Sequence, residues 1–362
     1  MHAIYHMTYL QAVVIGLIQG LTELFPISSL GHTVLIPSWF GGTWATLVSQ
    51  ESDAESPYLA FIVGLHLATA IVLLGYYAKT WVRIIRGFFT SIATRRIESA
   101  DQRLAWLLVV ATIPVGVAGL VLEHPFRVLF AKPLAAAIFL TINGGILFAG
   151  EVLRRRRAQE AVPNAVPNAV PNAVPGGAPR RQPVVQPAGV TPTAPPSVAP
   201  PAAGSPHAMR AEPSRLRGER DERDALLDQA ADERLAAAVG VKSAVWIGAL
   251  QILALFAGIS REGVTMAGGL FRGLSHEDAL RFSFLLSTPV ILAAGALKLS
   301  DLTGPLGQGL RGQVLAGSVA AAATSLFAVV FLARYFRTRT LTPFAIYCVA
   351  AGLISIIRFG IF

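Results

Sequence analysis

Six stretches of the chain stay apolar for about the 20 residues that a helix needs to cross a bilayer. They are Tyr58–Ala78, Leu104–Leu122, Pro133–Leu153, Ala279–Leu299, Gln313–Ala333 and Leu341–Ile361. Hydrocarbon offers no partner to a free peptide group, so each run must close its own backbone hydrogen bonds. Long uninterrupted runs favour helical spans over the weak alternation of a membrane barrel. The composition agrees: 53% of residues are hydrophobic and 14% charged, with a mean hydropathy of +0.56. An integral membrane protein is expected. The net charge of +9 would suggest nucleic acid in a soluble chain. Here Lys and Arg gather at the ends of apolar runs, which the positive-inside rule accounts for, and no nucleic-acid partner is expected. The single cysteine, Cys348, excludes an internal disulfide and a Cys-based metal cage. The start lacks a basic n-region, and Gln19 and Glu23 follow its apolar run, so no cleavable signal peptide is expected.

Residues 154–242 differ in kind. They open with Arg154–Arg157, pass through the repeat AVPNAVPNAVPNAVPG and continue rich in Pro, Ala and Gly. Such a segment cannot bury a core, so a disordered cytoplasmic linker with polyproline II character is expected. Its end, ERDERDALLDQAADERLAAAV from Glu219, reads as a short solvated helix. The linker separates residues 1–153 from 243–362, and the two halves open alike. Gln19-GLTELFPI-Ser28-SL-Gly31 aligns with Gln251-ILALFAGI-Ser260-RE-Gly263. Three apolar runs follow each element, the pattern of an internal repeat.

Lys79, Arg83, Arg86, Arg95, Arg96 and Arg103 place the loop after the first span in the cytoplasm, and Arg154–Arg157, Arg334, Arg337 and Arg339 do the same for later loops. The spans then alternate only if the Gln19 and Gln251 elements each enter and return on one side, from opposite leaflets. The expected fold is all-α: six transmembrane helices plus two re-entrant helical elements in an inverted repeat, with the breaks facing each other across a polar pocket.

An ionisable residue at membrane depth marks a functional site by default. Gln19 and Glu23 share one helix face; Pro26 breaks that helix, and Ser28, Ser29, Gly31 and His32 follow. In the second element Gly258 and Gly263 flank Ser260, Arg261 and Glu262. A guanidinium with amide donors suits a phosphate. A serine or histidine near a carboxylate suits nucleophilic or general-base work. A carboxylate beside phosphate oxygens suits Mg²⁺ or Ca²⁺. Plainer roles compete. Gln19 and Gln251 serve equally as interhelical hydrogen-bonding groups, as does Asn143. Ser28 and Ser260 serve as helix caps. His66, inside the first span, packs or approaches the pocket. Arg272, His276, Glu277, Asp278 and Arg281 are expected at a solvated cytoplasmic loop.

QGLTELFPISSLGH and AGISREG, with the later LSHEDALRFSFLLSTPVILAAG, resemble the undecaprenyl-diphosphate phosphatase family of the bacitracin-resistance type. Gln19, Glu23, Pro26, Ser28, Ser29, Gly31 and His32 match its first motif; Gly258, Ser260, Arg261 and Gly263 match its second. Ala257 stands where the second motif has proline, and Glu262 where it has serine. Glu262 could orient Arg261, bind a cation or weaken phosphate affinity.

The resemblance implies release of one phosphate from undecaprenyl diphosphate, a multi-pass protein of the bacterial inner membrane and a site toward its extracytoplasmic face. It implies Glu23, Ser29, His32 and Arg261 as the catalytic set, with Gln19, Ser28, Gly258, Ser260 and Gly263 holding phosphate. Mg²⁺ or Ca²⁺ on Glu23 is the expected cofactor. Expected partners are the polyprenyl diphosphate, membrane lipid and, as an open option, a second copy of the chain. Either Ser29 or His32 is the nucleophile. A polyprenyl-phosphate flippase would need the Arg261 clamp but not the Glu23–Ser29–His32 set. A non-catalytic scaffold would leave the intramembrane charges unexplained.

Overall fold

The computed structural model describes residues 7–49, 57–130, 132–161, 208–297 and 309–361. The AVPN repeat from residue 162 onward lies outside the described residues. Among the described residues every regular element is helical: α1 (Tyr9–Leu24), α2 (Ser29–Phe40), α3 (Gly42–Ser49), α4 (Pro57–Tyr76), α5 (Ala78–Thr94), α6 (Ala100–Phe130), α7 (Pro133–Ala161), α8 (Ala208–Ala238), α9 (Val241–Leu250), a 3₁₀ turn (Gln251–Leu255), α10 (Arg261–Phe271), α11 (His276–Leu297), α12 (Arg311–Tyr335) and α13 (Thr342–Ile361). The six apolar runs of the sequence correspond to α4, α6, α7, α11, α12 and α13. Five of these are long and apolar enough to span on their own, and α4 joins α5 as one of two bent pairs. The protein is a multi-pass membrane protein with re-entrant elements.

Each re-entrant element owes its shape to local chemistry. A capping box starts α1: Gln11 N donates to Thr8 Oγ1 at 3.2 Å and Thr8 N donates to Gln11 Oε1 at 2.9 Å. Pro26 disfavours helical backbone at Phe25, which turns to φ −71°, ψ 144° and ends the helix. Ser28 then caps α2, its Oγ accepting from Gly31 N at 3.2 Å. In the second element Ser260 caps α10 in the same way, accepting from Gly263 N at 3.1 Å. The shared Ser-x-x-Gly spacing is therefore a pair of N-caps.

The two halves pair reciprocally. Helix α1 packs on α12, and α9 packs on α6. Small residues let the backbones touch: a Cβ on Gly16 would meet Gly317 O at 2.3 Å, and one on Gly248 would meet Ala111 O at 2.0 Å. Close approach of this kind drives helix association where no hydrophobic effect is available. Helix α11 is the central helix, with 61% of its apolar window buried against 22% for the peripheral α13.

Three features differ from the sequence reading. The basic loop after the first span is helix α5, bent 85° from α4 at Tyr77. Lys79, Arg83 and Arg86 recur at helical spacing on one face. Trp81, Ile84, Ile85, Phe88 and Phe89 take the other, and with α6 and Pro289 they line an apolar groove of about 690 Å³. Helix α7 runs on past Arg154 to Ala161.

The end of α8 is packed rather than solvated, with Asp232, Leu235 and Ala236 each no more than 1% exposed. Asp232 binds Arg83 and accepts from Arg281 Nε at 2.7 Å; Arg281 also donates to Asp228 at 2.9 Å. Arg234 donates to Asp278 at 2.8 Å, and His276 meets Glu151 at 2.8 Å. Arg281, Asp278 and His276 are thus bound in an ionic seam, because each has a counter-ion that comes from a remote element.

Breaking a buried pair leaves a charge without compensation, at a cost of about 3–5 kcal/mol. Asp232→Ala should therefore lower the thermal midpoint of the purified protein markedly. An unchanged midpoint would show that the seam contributes nothing to stability.

Candidate active site

The ends of both breaks meet around Glu23, the penultimate residue of α1, which is 3% exposed. Ser29, first residue of α2, donates its hydroxyl to Glu23 Oε2. Gln19, one turn before Glu23, donates from Nε2 to the same oxygen at 2.9 Å. From the second half Arg261 brings Nη2 to 3.6 Å from Glu23 Oε1. His66 of α4 adds Nε2 at 3.3 Å from Glu23 Oε2 and 3.1 Å from Gln19 Nε2. Its Nδ1 lies 2.9 Å from Ile62 O, an acceptor only, so Nδ1 carries the proton there. One carboxylate thus gathers a hydroxyl, an amide, an imidazole and a guanidinium from both halves of the chain.

Several polar atoms here have no hydrogen-bond partner: Gln19 Oε1, Arg261 Nη1, Glu262 Oε1 and Ser287 Oγ. Buried groups of this kind are rare unless a ligand or water completes them. The free guanidinium nitrogen and the Arg261 and Glu262 amides at the start of α10, which no helical carbonyl can reach, are donors of the kind that bind anions at helix N-termini.

Asn143 of α7, 0% exposed, joins the two breaks. Its Nδ2 donates to Pro26 O at 3.0 Å, and its Oδ1 accepts from Ser260 N at 3.0 Å. Ser260 Oγ further donates to Phe25 O at 3.4 Å. The tips also touch directly: a Cβ on Gly31 would lie 2.9 Å from Gly258 Cα. Gly258 sits at φ 112° with Ala136 O only 2.4 Å from where a Cβ would stand, so no other residue fits. Ser28 holds φ 71° without being glycine, a strained conformation of the sort that concentrates at functional sites.

His32 stands apart from this cluster. Its Nδ1 lies 2.7 Å from Ser28 O, so the proton is on Nδ1; Nε2 then accepts from the Tyr347 hydroxyl at 2.8 Å. The two rings stack at 5.7 Å. With both ring nitrogens engaged, His32 is not the group that holds the Ser29 proton in this state. Ser28, Ser260, Gly258 and Gly263 shape the breaks rather than present side chains to the cluster.

Sequence reasoning left His66 open between packing and the pocket, read Asn143 as an interhelical hydrogen-bonding group, the role its bonds to both breaks give it, and missed Tyr347. A lone imidazole or amide in an apolar span was the available signal for the first two. Tyr347 gave none, since it meets His32 across 315 residues of chain.

Removing the Asn143 amide orphans Ser260 N–H and Pro26 C=O, each at about 1–3 kcal/mol. Asn143→Leu should lower the thermal midpoint by several degrees, at about 2–4 °C per kcal/mol for a chain of this size. A midpoint within one degree of wild type would remove Asn143 as the brace.

The model of the family described as "Bacitracin resistance protein BacA" matches residues 12–170 and 220–354. Among curated proteins, the chain is 51% identical over 361 residues to "Undecaprenyl-diphosphatase 2" of Frankia alni, covering 99% of each. It is 50% identical over 352 residues to "Undecaprenyl-diphosphatase" of Mycolicibacterium paratuberculosis, covering 97% of each. It is 34% identical over 356 residues to the protein of that name from Gluconobacter oxydans, covering 96% of the chain and 98% of the relative. The match spans both re-entrant elements and the helices that hold them, and the chain belongs to the bacitracin resistance protein BacA family.

Proposed function

We propose that the protein hydrolyses undecaprenyl diphosphate to undecaprenyl phosphate and phosphate. The observation that carries this is the approach of Arg261 to the Glu23–Ser29 pair from the opposite half of the chain. A phosphate bound at Arg261 and the α10 amides would stand beside a hydroxyl whose proton is already directed at a carboxylate. The names of the relatives supply the substrate.

Ser29 Oγ attacks the terminal phosphorus while its proton passes to Glu23 Oε2. The bond from that phosphorus to the bridging oxygen breaks, and undecaprenyl phosphate leaves. Arg261 neutralises charge on the transferring group, the largest service a protein renders in such a reaction. Water then attacks the phosphoserine phosphorus, the serine oxygen leaves and recovers its proton from Glu23, and phosphate departs. The hydrogen bond from Ser29 to Glu23 favours Ser29 as nucleophile over His32, whose lone pair Tyr347 occupies. Helix positions Gln19 and His66 hold the Glu23 carboxylate in place.

A divalent cation fits the donor set. Glu23, Ser29 and the unpartnered Gln19 Oε1 are hard oxygen donors. Mg²⁺ is held in this way, by one or two carboxylates plus substrate phosphates, and it would neutralise phosphate charge. The chamber is assigned to the extracytoplasmic side because the basic residues of α5 and the end of α7 mark the other. Apolar walls and lipid accommodate the prenyl tail, and the protein carries out this step in recycling the carrier for cell-wall synthesis.

Purified protein in detergent should release phosphate from a polyprenyl diphosphate, and a chelator should suppress the release. Arg261→Ala should reduce it by about 10³-fold or more, with Ser29→Ala comparably low. A flippase would retain lipid transport in Ser29→Ala. Wild-type turnover in Arg261→Ala would overturn the clamp.

A further inference from the structure

Glu262 is one of two residues, with Ala257, that depart from the family motif, and its surroundings are unusual. It is 2% exposed, in the first turn of α10. Among the described residues it forms no ion pair: the Arg261 guanidinium reaches Glu23 at 3.6 Å, and the His66 imidazole also lies on Glu23, at 3.3 Å. Both groups make their ion-pair contact with the other carboxylate, and the Arg261 charge reaches Glu262 only through space. Glu262 Oε1 and the hydroxyl of Ser287 on α11, which is 0% exposed, have no hydrogen-bond partner of good geometry, although the two groups lie close enough to interact. The other elements packed on α10 bring no countercharge to it. The 3₁₀ turn offers the Gln251 amide, α7 offers Asn143, and Lys242 of α9 is exposed at the far end. Glu23 of α1 adds a second negative charge nearby.

Magnitudes decide the protonation state. An uncompensated buried charge costs several kcal/mol. The helix N-terminus returns about 0.3–1 kcal/mol, and about 2 at most when partly buried, and a bound phosphate would claim that same end. Contact with the guanidinium is absent, so Glu262 does not orient Arg261 directly. Among the described residues no cluster of three acidic, imidazole or thiol side chains includes it, so it does not complete a cage of such ligands. What remains is a carboxylic acid with a proton to give.

Resting on the phosphatase reading above, we propose that Glu262 works as a neutral acid that donates an O–H hydrogen bond to a phosphate oxygen held by Arg261 and the α10 amides. It thereby supplies the hydroxyl donor that the family motif draws from serine. An ionised Glu262 would instead present lone pairs to the phosphate and repel it.

The test compares wild type with Glu262→Gln, which offers an N–H donor at every pH, and with Glu262→Ser, which restores the motif residue. Phosphate release is followed from pH 6 to pH 9. The other ionisable groups of the chamber, Glu23, His32 and His66, are common to all three proteins, so the ratio of wild type to variant isolates Glu262. Loss of the acid proton should make that ratio fall by up to about tenfold per pH unit on the alkaline side. Infrared difference spectra should show a protonated carboxyl band at pH 6 that Glu262→Gln removes. A ratio that stays flat or rises with pH, or the absence of that band at every pH, overturns the proposal. A band present with no phosphate release from wild type at any pH would overturn the reaction, and with it the phosphate donor role, while leaving Glu262 protonated.

Discussion

A helix interrupted at membrane depth strips several peptide groups of their partners, and hydrocarbon supplies none. Asn143 meets this constraint for both interruptions at once. One amide donates to Pro26 O, accepts from Ser260 N and so joins breaks lying 117 positions from it on either side. The chamber depends on that joint. Without it Pro26 C=O and Ser260 N–H would lose their buried partners, and the breaks that set Ser29 and Arg261 at helix starts would be destabilised. The Ser28 and Ser260 caps and the contact of Gly31 with Gly258 refine an arrangement that the asparagine holds.

Within the chamber the charges are shared unequally. Glu23 gathers Ser29, Gln19, His66 and Arg261, whereas among the described residues Glu262 forms no ion pair. Two carboxylates under one roof with opposite surroundings are suited to opposite tasks, one accepting a proton and the other offering a hydrogen bond. Arg261 keeps one nitrogen on Glu23 and the other free. That is the posture of a group waiting for an anion.

The spans were legible because a bilayer demands about 20 apolar residues in a row, and α4, α6, α7, α11, α12 and α13 satisfy that demand from sequence alone. The breaks were legible because Pro26 and the Ser-x-x-Gly caps act over three or four residues. The meeting of Glu23 with Ser29 and Arg261 followed from placing the breaks opposite each other. Orientation of His32 was not legible, since it turns on a phenol 315 positions away. The ionic seam was hidden for the same reason: Asp232, Arg281 and Arg83 each look like a solvated charge until three distant helices bring them together.

The reciprocal pairing of α1 with α12 and α9 with α6 has a consequence for biosynthesis. The first re-entrant hairpin emerges with Glu23 already in it, but the helix that covers its Gly16 face is made about 300 residues later. At about 5–20 residues per second, that is a delay of about 15–60 s. Through that interval the hairpin has α4, whose His66 reaches Glu23, but not α12, so the Gly16 face of α1 stays without its partner until the last quarter of the chain arrives.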